Sequence, residues 1–359
     1  MLKEENNGLV DRDKLQVALK VGRRMANEYM SYGAYRPSEC WGSEGQIYPA
    51  LMGLALLDLY EVEKEPILLE GVRAVIESVI KKQTADGGWA LNLGENGSGL
   101  KFKVSKEISE LTSRGEDLPP TVTSIRLMAE YFLLTKDETY QQNLNLAYNF
   151  LVKFWNDDKG EFSEMLHEEG LKLRANPKSY HIYVYQCILS VQKIFPEASV
   201  YLDPLYKSVK ETFESFDSYT YPLLYGMHAA QVIASEGAST YVKTVVKDRI
   251  EKDIASNSKF LIKEMPGALG HRDGIRGVCL DEGHIRNSIG AAIVMKFYDH
   301  YVEPGSYLNT PLYADLSKWI LTMYEEDRFF EFIELKDGVR KGVGSSGQYL
   351  PINWILGKF

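Results

Sequence analysis

Gln83-Thr84-Ala85-Asp86-Gly87-Gly88-Trp89 is the stretch that decides the fold. It follows a run in which Leu69, Val72, Val75, Ile76 and Val79 recur at helical spacing. Pro66 opens that run, in a first-turn position where its missing N–H costs nothing. The heptapeptide therefore ends a helix. Its two glycines permit positive φ, Asp86 can cap the turn, and Trp89 carries a large apolar face into the next element. Upstream, Ile47, Leu51, Leu54, Ala55 and Leu59 predict a very apolar helix over 44–60. Leu15, Leu19, Gly22, Met25 and Tyr29 predict an amphipathic one over 13–32.

The rhythm continues downstream. The same periodicity predicts helices over 66–83, 121–135, 138–155, 179–195, 203–216, 222–236, 239–255, 285–302 and 310–326. Alternating runs are few and short, at 329–335 and 259–263, and read as small hairpin arms. The helices come in pairs. Within a pair the connection is short, as at Glu61 to Glu65 or Lys136-Asp137. Between pairs it is longer and rich in Gly, Asp and aromatics, and Asp157-Asp-Lys-Gly-Glu-Phe162 echoes the first turn. A helical hairpin repeated every roughly 60–70 residues is a repeat architecture. The last residues, Tyr349-Leu-Pro-Ile-Asn-Trp-Ile-Leu-Gly-Lys-Phe359, are strongly apolar and need burial, which an open solenoid does not give a terminal repeat. Packing them beside the N-terminal helix meets that need.

On these residues the chain resembles a known superfamily. Gln83-xx-Asp86-Gly-Gly-Trp89 is similar to the Gln-Trp motif of the terpenoid cyclase and protein prenyltransferase toroids. Comparable Asp-Gly-Gly-Trp turns occur in toroidal glycan hydrolases, epimerases and lyases. The resemblance implies an all-α fold, an α/α toroid of roughly five to six antiparallel pairs, as one domain over 1–359 with minor β-hairpin arms. It does not choose the chemistry.

Composition removes several classes. A net charge of -9 with pI near 5.4, and no basic stripe, disfavours a nucleic-acid backbone as partner. Three cysteines, Cys40, Cys187 and Cys279, make no disulfide framework. Met1 to Asp13 is polar and charged, so the expectation is a cytoplasmic protein, and no apolar run is long enough to span a membrane.

The more apolar first helix of each pair is expected inside the ring. The longer connections then meet at the inner-helix N-termini, whose free N–H groups favour anions. The densest connection is Gly270-His-Arg-Asp-Gly-Ile-Arg-Gly-Val-Cys-Leu-Asp-Glu-Gly-His-Ile-Arg-Asn287. Asp281, Glu282 and His284 suit acid–base catalysis, because a histidine and a tuned carboxylate can both move protons near neutral pH. Arg272, Arg276 and Arg286 can clamp a carboxylate or phosphate, with His271, Asp273 and Asn287 as further substrate contacts. Glu44 is a second candidate acid, flanked by Glu39, Trp41 and Tyr48. His181 is a third candidate, between Tyr180 and Tyr185, with Tyr225 in a further aromatic cluster. Each also has a plain structural role open to it, as a helix cap or a core residue.

Cys279-x-Asp281-xx-His284 has zinc-ligand types, but the order and spacing of the prenyltransferase site differ, and no metal or cofactor is expected. The expected partner is a small molecule or an oligosaccharide. The leading expectation is a hydrolase or lyase on an acidic oligosaccharide, using carboxylate and histidine acid–base chemistry. A terpenoid cyclase-like enzyme is the second, weakened by the missing Asp-x-Asp-Asp and Asp-Asp-x-x-Asp motifs, and a non-catalytic binding toroid the third.

Overall fold

A helix that is apolar all round must be covered all round, whereas a one-sided stripe leaves one face to water. The helices sort on that difference. The computed structural model describes residues 11–35, 47–89, 115–163, 165–167, 172–174, 181–215, 232–233, 240–241, 243–244, 247–248, 282–330, 332–334, 340–341 and 345–358. Two compact units divide the chain, Met25–Thr212 and the pair of segments Met1–Arg24 and Phe213–Phe359. α1, Arg12–Tyr32, contributes to both.

In the Met25–Thr212 unit, α2 (Tyr48–Val62) buries every residue from Pro49 to Leu57. α3 (Pro66–Ile80) buries only Leu68, Gly71, Val72, Val75, Ile76 and Val79, one stripe at helical spacing. The next pair repeats this. A short strand β1 (Gly115–Asp117) runs directly into α4 (Leu118–Thr135), buried all round through its first half. α5 (Gln141–Leu151) buries a stripe containing Leu144, Ala147, Tyr148 and Leu151. α6 (His181–Val191) is again buried almost throughout, and α7 (Leu202–Ser215) buries Leu205 and Val209 on one side. α4 packs against both α2 and α6, while α3 and α5 pack against their own partners. The first helix of each pair is therefore the inner one, as the apolar pattern predicts.

The sequence places the start of α4 after its prolines. The helix instead begins at Leu118, with Pro119 and Pro120 in its first turn, where neither is asked for an N–H. Likewise α2 starts at Tyr48, with Pro49 in its first turn.

The Gln83–Trp89 turn is a latch. Trp89 is buried, and its Nε1 donates to the Val79 carbonyl at 2.9 Å. Gln83 Nε2 donates to the Gly87 and Asn143 carbonyls, and Asn143 Nδ2 donates back to Gln83 Oε1 at 2.8 Å, tying the first pair to α5. Gly87 has φ +105, and a Cβ there would lie 2.5 Å from the Leu146 carbonyl oxygen. The second turn works similarly. β2 (Trp155–Asn156) and β3 (Glu161–Phe162) pair around it, and Phe162 is buried against Trp155 and Tyr201.

The other unit holds α8 (Ile285–Tyr301), α9 (Pro311–Thr322) and α10 (Ser345–Leu356). α8 packs against both others. Asp299 closes the α8–α9 loop by accepting from Gly305 N, Ser306 Oγ and Tyr307 N. A hairpin of β7 (Tyr324–Glu325) and β8 (Arg328–Phe329) follows α9, and Gln348 of α10 accepts from Phe329 N and donates to Phe329 O. The apolar C-terminal stretch is α10, with Tyr349, Leu350, Ile352, Trp354 and Ile355 buried. It lies beside the first half of α1: Lys14 Nζ sits 5.4 Å from the Trp354 ring centroid. That is the company the sequence requires for it.

Two three-stranded sheets sit at inner-helix N-termini. β4 (Met165–His167) lies between β1 and β5 (Lys172–Arg174) in one. In the other, β9 (Phe332–Glu334) lies between β6 (Glu282–His284) and β10 (Arg340–Lys341), and β6 runs directly into α8. The sequence reading foresees one arm near 329–335 and neither sheet. Most of the helices expected over 222–236 and 239–255, and the arm over 259–263, lie outside the described residues.

Candidate functional site

Where a strand hands over directly to an inner helix, its last residues are held beside a helix N-terminus, with partial positive charge and unsatisfied N–H groups. β6 and α8 make such a junction. Glu282 and His284 are two residues apart on β6. The antiparallel register sets Glu282 opposite Glu334 and His284 opposite Phe332 of β9. Lys341 of β10 is opposite Phe332 from the other side. Arg286 and Asn287 occupy the first turn of α8.

The pairing of Glu282 with Glu334 is unusual in kind. Residues directly opposite in an antiparallel ladder have Cβ atoms about 4.5–5.5 Å apart, and like charges there oppose folding. Glu334 is absent from the sequence expectation. The alternation Phe332-Ile333-Glu334 signals a strand, but nothing in a single sequence reveals which strand it pairs with.

His181 and Tyr185 lie within the described residues. Both are buried, one helical turn apart on α6. His181 Nδ1 shares a hydrogen bond with Ser208 Oγ of α7, and the Tyr185 ring lies 5.8 Å from that of Tyr206, also on α7. Residues four apart share a helix face, and this face is the one packed against the outer helix. Their placement is that of residues fixing α6 to α7. Tyr48 is half-buried at the start of α2. Asp281, His271, Arg272, Asp273, Arg276, Cys279, Glu39, Trp41, Glu44, Tyr180 and Tyr225 lie outside the described residues.

A half-buried polar cluster lies farther along the inner helices. Arg126 of α4 donates from Nε to Glu130 Oε1 at 2.7 Å and from Nη1 to Gln186 Oε1 of α6 at 2.9 Å. Ser190 Oγ donates to the same Glu130 oxygen at 2.9 Å. Burial works against the guanidinium charge, but Glu130 beside it leaves its pKa raised. Burial pushes the neighbouring Cys187 thiol up. With its charges paired inside the seam, the cluster joins α4 to α6. Among the described residues no group of three or more His, Cys, Asp or Glu could hold a metal ion. No described helix is long and apolar enough to cross a membrane.

No family model matches the chain, and no curated protein sequence does. Solved structures do. Cellobiose 2-epimerase from Spirochaeta thermophila superposes with a TM-score of 0.64 at 12% identity, covering 96% of each chain. An unsaturated glucuronyl hydrolase specific for heparin gives 0.56 at 9% identity, again over 96% of each chain. A type II terpene cyclase from Scytonema gives 0.53 at 12% identity, over 96% of this chain and 98% of its own. Three chemistries on one architecture separate fold from function. What they share with this chain is the fold, an all-α protein of the α/α-toroid type.

Proposed function

We propose that the chain is an enzyme acting on a carbohydrate, and that it moves protons with His284, Glu282 and Glu334 at the N-terminal end of α8. One observation supports the reading: the β6–β9 register sets Glu282 opposite Glu334, with His284 two residues further along β6. Asp281, one residue upstream, belongs to the same set in this proposal. Lys341, Arg286 and the arginines of the preceding segment are assigned to an acidic group on the sugar. The substrate class is then an acidic oligosaccharide. Hydrolysis of its glycosidic bond needs one carboxylic acid to protonate the leaving oxygen and one carboxylate as base or nucleophile. Elimination beside a uronic carboxylate needs a base for the C5 proton and an acid for the leaving oxygen, and His284 with either glutamate supplies both.

A second reading, epimerisation of a reducing sugar, is favoured by the likeness to the cellobiose epimerase, the largest TM-score of the three. It uses the same groups to take and return a carbon-bound proton.

One experiment separates these readings. The protein is incubated in deuterated buffer with heparin oligosaccharides, with an unsaturated glucuronyl disaccharide, and with cellobiose. A gain of double-bond ultraviolet absorbance marks elimination, its loss from the disaccharide marks hydrolysis, and deuterium at C2 of cellobiose marks epimerisation. Whichever occurs, Glu282→Gln, His284→Ala and Glu334→Gln should each lower turnover at least tenfold, as general acid–base groups do. Turnover of an isoprenoid and of no sugar, or full activity in all three variants, overturns the proposal.

A further inference from the structure

The Gln83–Trp89 turn hides its indole, whereas the second turn leaves one half open. Trp155 is half-buried on β2, and Tyr201 is half-buried at the end of a 3₁₀ turn, Pro196–Tyr201, that leads into α7. The two rings meet with centroids 4.9 Å apart. Both rest on the buried ring of Phe162, at 5.1 and 5.3 Å. Separations of that size are ring-to-ring contact. Nothing fits between the rings, so they make a floor and not a cage. Two exposed valines border it. Val152 lies three residues before Trp155, in a 3₁₀ turn closed by Trp155 N donating to the Val152 carbonyl. Side chains three apart in such a turn eclipse. Val200 adjoins Tyr201 and, at 68%, is the most exposed large hydrophobic residue among the described ones. A contiguous apolar patch of this kind marks a binding surface.

Acceptor oxygens edge the same surface. Trp155 Nε1 donates to Asp157 Oδ1 at 2.7 Å, which pins an exposed carboxylate at the rim of the indole. Glu197, also exposed, is three residues before Val200 in the 3₁₀ turn and therefore lies in the same row of side chains. Burial, and then the Asp157 and Glu197 carboxylates, push the Tyr201 hydroxyl up, so both acids stand within electrostatic reach of it. The pattern selects a ligand. A pyranose has an apolar face of C–H groups and a girdle of hydroxyls that donate. The face suits fixed aromatic rings, and the hydroxyls suit carboxylate acceptors. Two carboxylates oppose a third on the ligand, so the sugar is a neutral one. A stable protein partner needs about 800 Å² on each side, and two partly covered rings with two valines fall well short of that.

We propose that Trp155 and Tyr201 form a platform that binds a neutral pyranose unit of a glycan, within the Met25–Thr212 unit and from elements other than the β6–α8 junction. The sugar lies with its C–H face on the two rings and the valines, and its hydroxyls donate to Asp157 and Glu197. The platform holds the glycan and performs no chemistry on it. The choice of a sugar rests on the carbohydrate function proposed above, whereas the half-open aromatic floor and its pinned carboxylate do not.

The indole N–H of Trp155 reports on the platform directly. Its NMR resonance is assigned in the full-length protein by its loss in Trp155→Phe. Cellobiose, mannobiose and D-glucuronate are then titrated in at matched ionic strength. The expected result is a saturable shift with a neutral disaccharide and none with D-glucuronate. Val200→Asp puts a negative charge on an exposed site, where it has little packing to disturb, and Asp157→Ala removes the pinned acceptor. Each should weaken the binding about tenfold, at a melting temperature equal to that of wild type. A Trp155 signal that neither disaccharide moves overturns the platform. So does unweakened binding in both variants. An equal shift with D-glucuronate overturns the neutral ligand. Broadening of the Trp155 signal with protein concentration, together with a doubled mass in solution, would give the surface to a second copy of the chain and overturn the proposal as well. Should the platform bind a disaccharide while no sugar is turned over, the functional reading fails and the platform stands. Sugar turnover with a silent Trp155 gives the reverse.

Discussion

Asp137 shows how much one half-buried side chain can organise. It accepts from the Thr139 hydroxyl at 2.5 Å, from the Tyr131 hydroxyl at 2.5 Å and from the Thr139 backbone N–H at 3.0 Å. Those bonds, with the Arg73 guanidinium nearby, hold its carboxyl down at about 2. The sign follows from linkage. The group is ionised in the folded protein at a pH where the unfolded chain has already taken up a proton, so its stabilisation is complete above about 4 and disappears as pH falls toward 2. Urea midpoints measured over that window should fall in the wild type and fall less steeply in Asp137→Asn; parallel slopes would mean the carboxylate is not held as described. Trp89 makes the opposite kind of contribution, through burial. Trp89→Ala empties a buried site and strips the Val79 carbonyl of its donor, and should cost about 3–5 kcal/mol. The variant should lose urea stability while keeping turnover under conditions where it remains folded. Lost turnover at an unchanged midpoint would move the residue from the latch to the chemistry.

At the scale of elements, Lys296 is the contact that seats α10 on α8. Its Nζ donates to the carbonyls of Trp354 and Ile355, at 3.2 and 2.7 Å, and so satisfies two of the acceptors left over at the end of α10. Burial, and Lys14 nearby, push its pKa down to about 8, with Asp11 opposing. A lysine lowered on folding carries a penalty that is full below about 8 and is relieved as pH rises toward the unfolded value near 10.4. Across that window wild-type stability should gain on that of Lys296→Met, read from urea midpoints at matched ionic strength. A gap that does not change with pH would show that the ammonium is not desolvated. The legibility of the elements follows the range of the forces behind them. Inner and outer helices were readable because burial on all sides or on one side is written in local spacing, as in α2 against α3. The helix starts at Tyr48 and Leu118 were misplaced by a few residues because proline is tolerated in a first turn as well as ahead of it. The sheets were not readable, because strands of two or three residues carry no period, and β1 meets β4 only after a helical pair has intervened. For the same reason Glu282 and His284 stand out from composition alone, while the pairing of Glu282 with Glu334 needs a register. A histidine at a helix start looks the same in sequence whatever its partner, so the hydrogen bond between His181 and Ser208 is not legible there.

The molecule as a whole mixes local and distant closure. The Met25–Thr212 unit is one continuous stretch, in which each helix packs on elements near it in sequence. The other unit joins Met1–Arg24 to Phe213–Phe359, so Lys14 meets Trp354 and Arg24 Nη1 reaches the Glu326 carbonyl at 2.7 Å only across most of the chain. Closing so long a loop adds little to the equilibrium cost, since that cost grows only with the logarithm of length. It weighs more on the rate, because distant contacts must form before they stabilise anything. The contiguous unit should therefore fold first. Chains of this size commonly pass through such partly folded states. In pulsed hydrogen exchange during refolding, amides of α2 to α6 should gain protection before those of α10 and the first half of α1. The α10 amides should then appear together with those around Lys14, since α10 has Leu350, Ile352 and Trp354 to bury and α1 is part of what covers them. Protection of α10 ahead of α4, or of all helices in one phase, would contradict this order. The second outcome would make the chain a single cooperative unit in spite of its long-range closure.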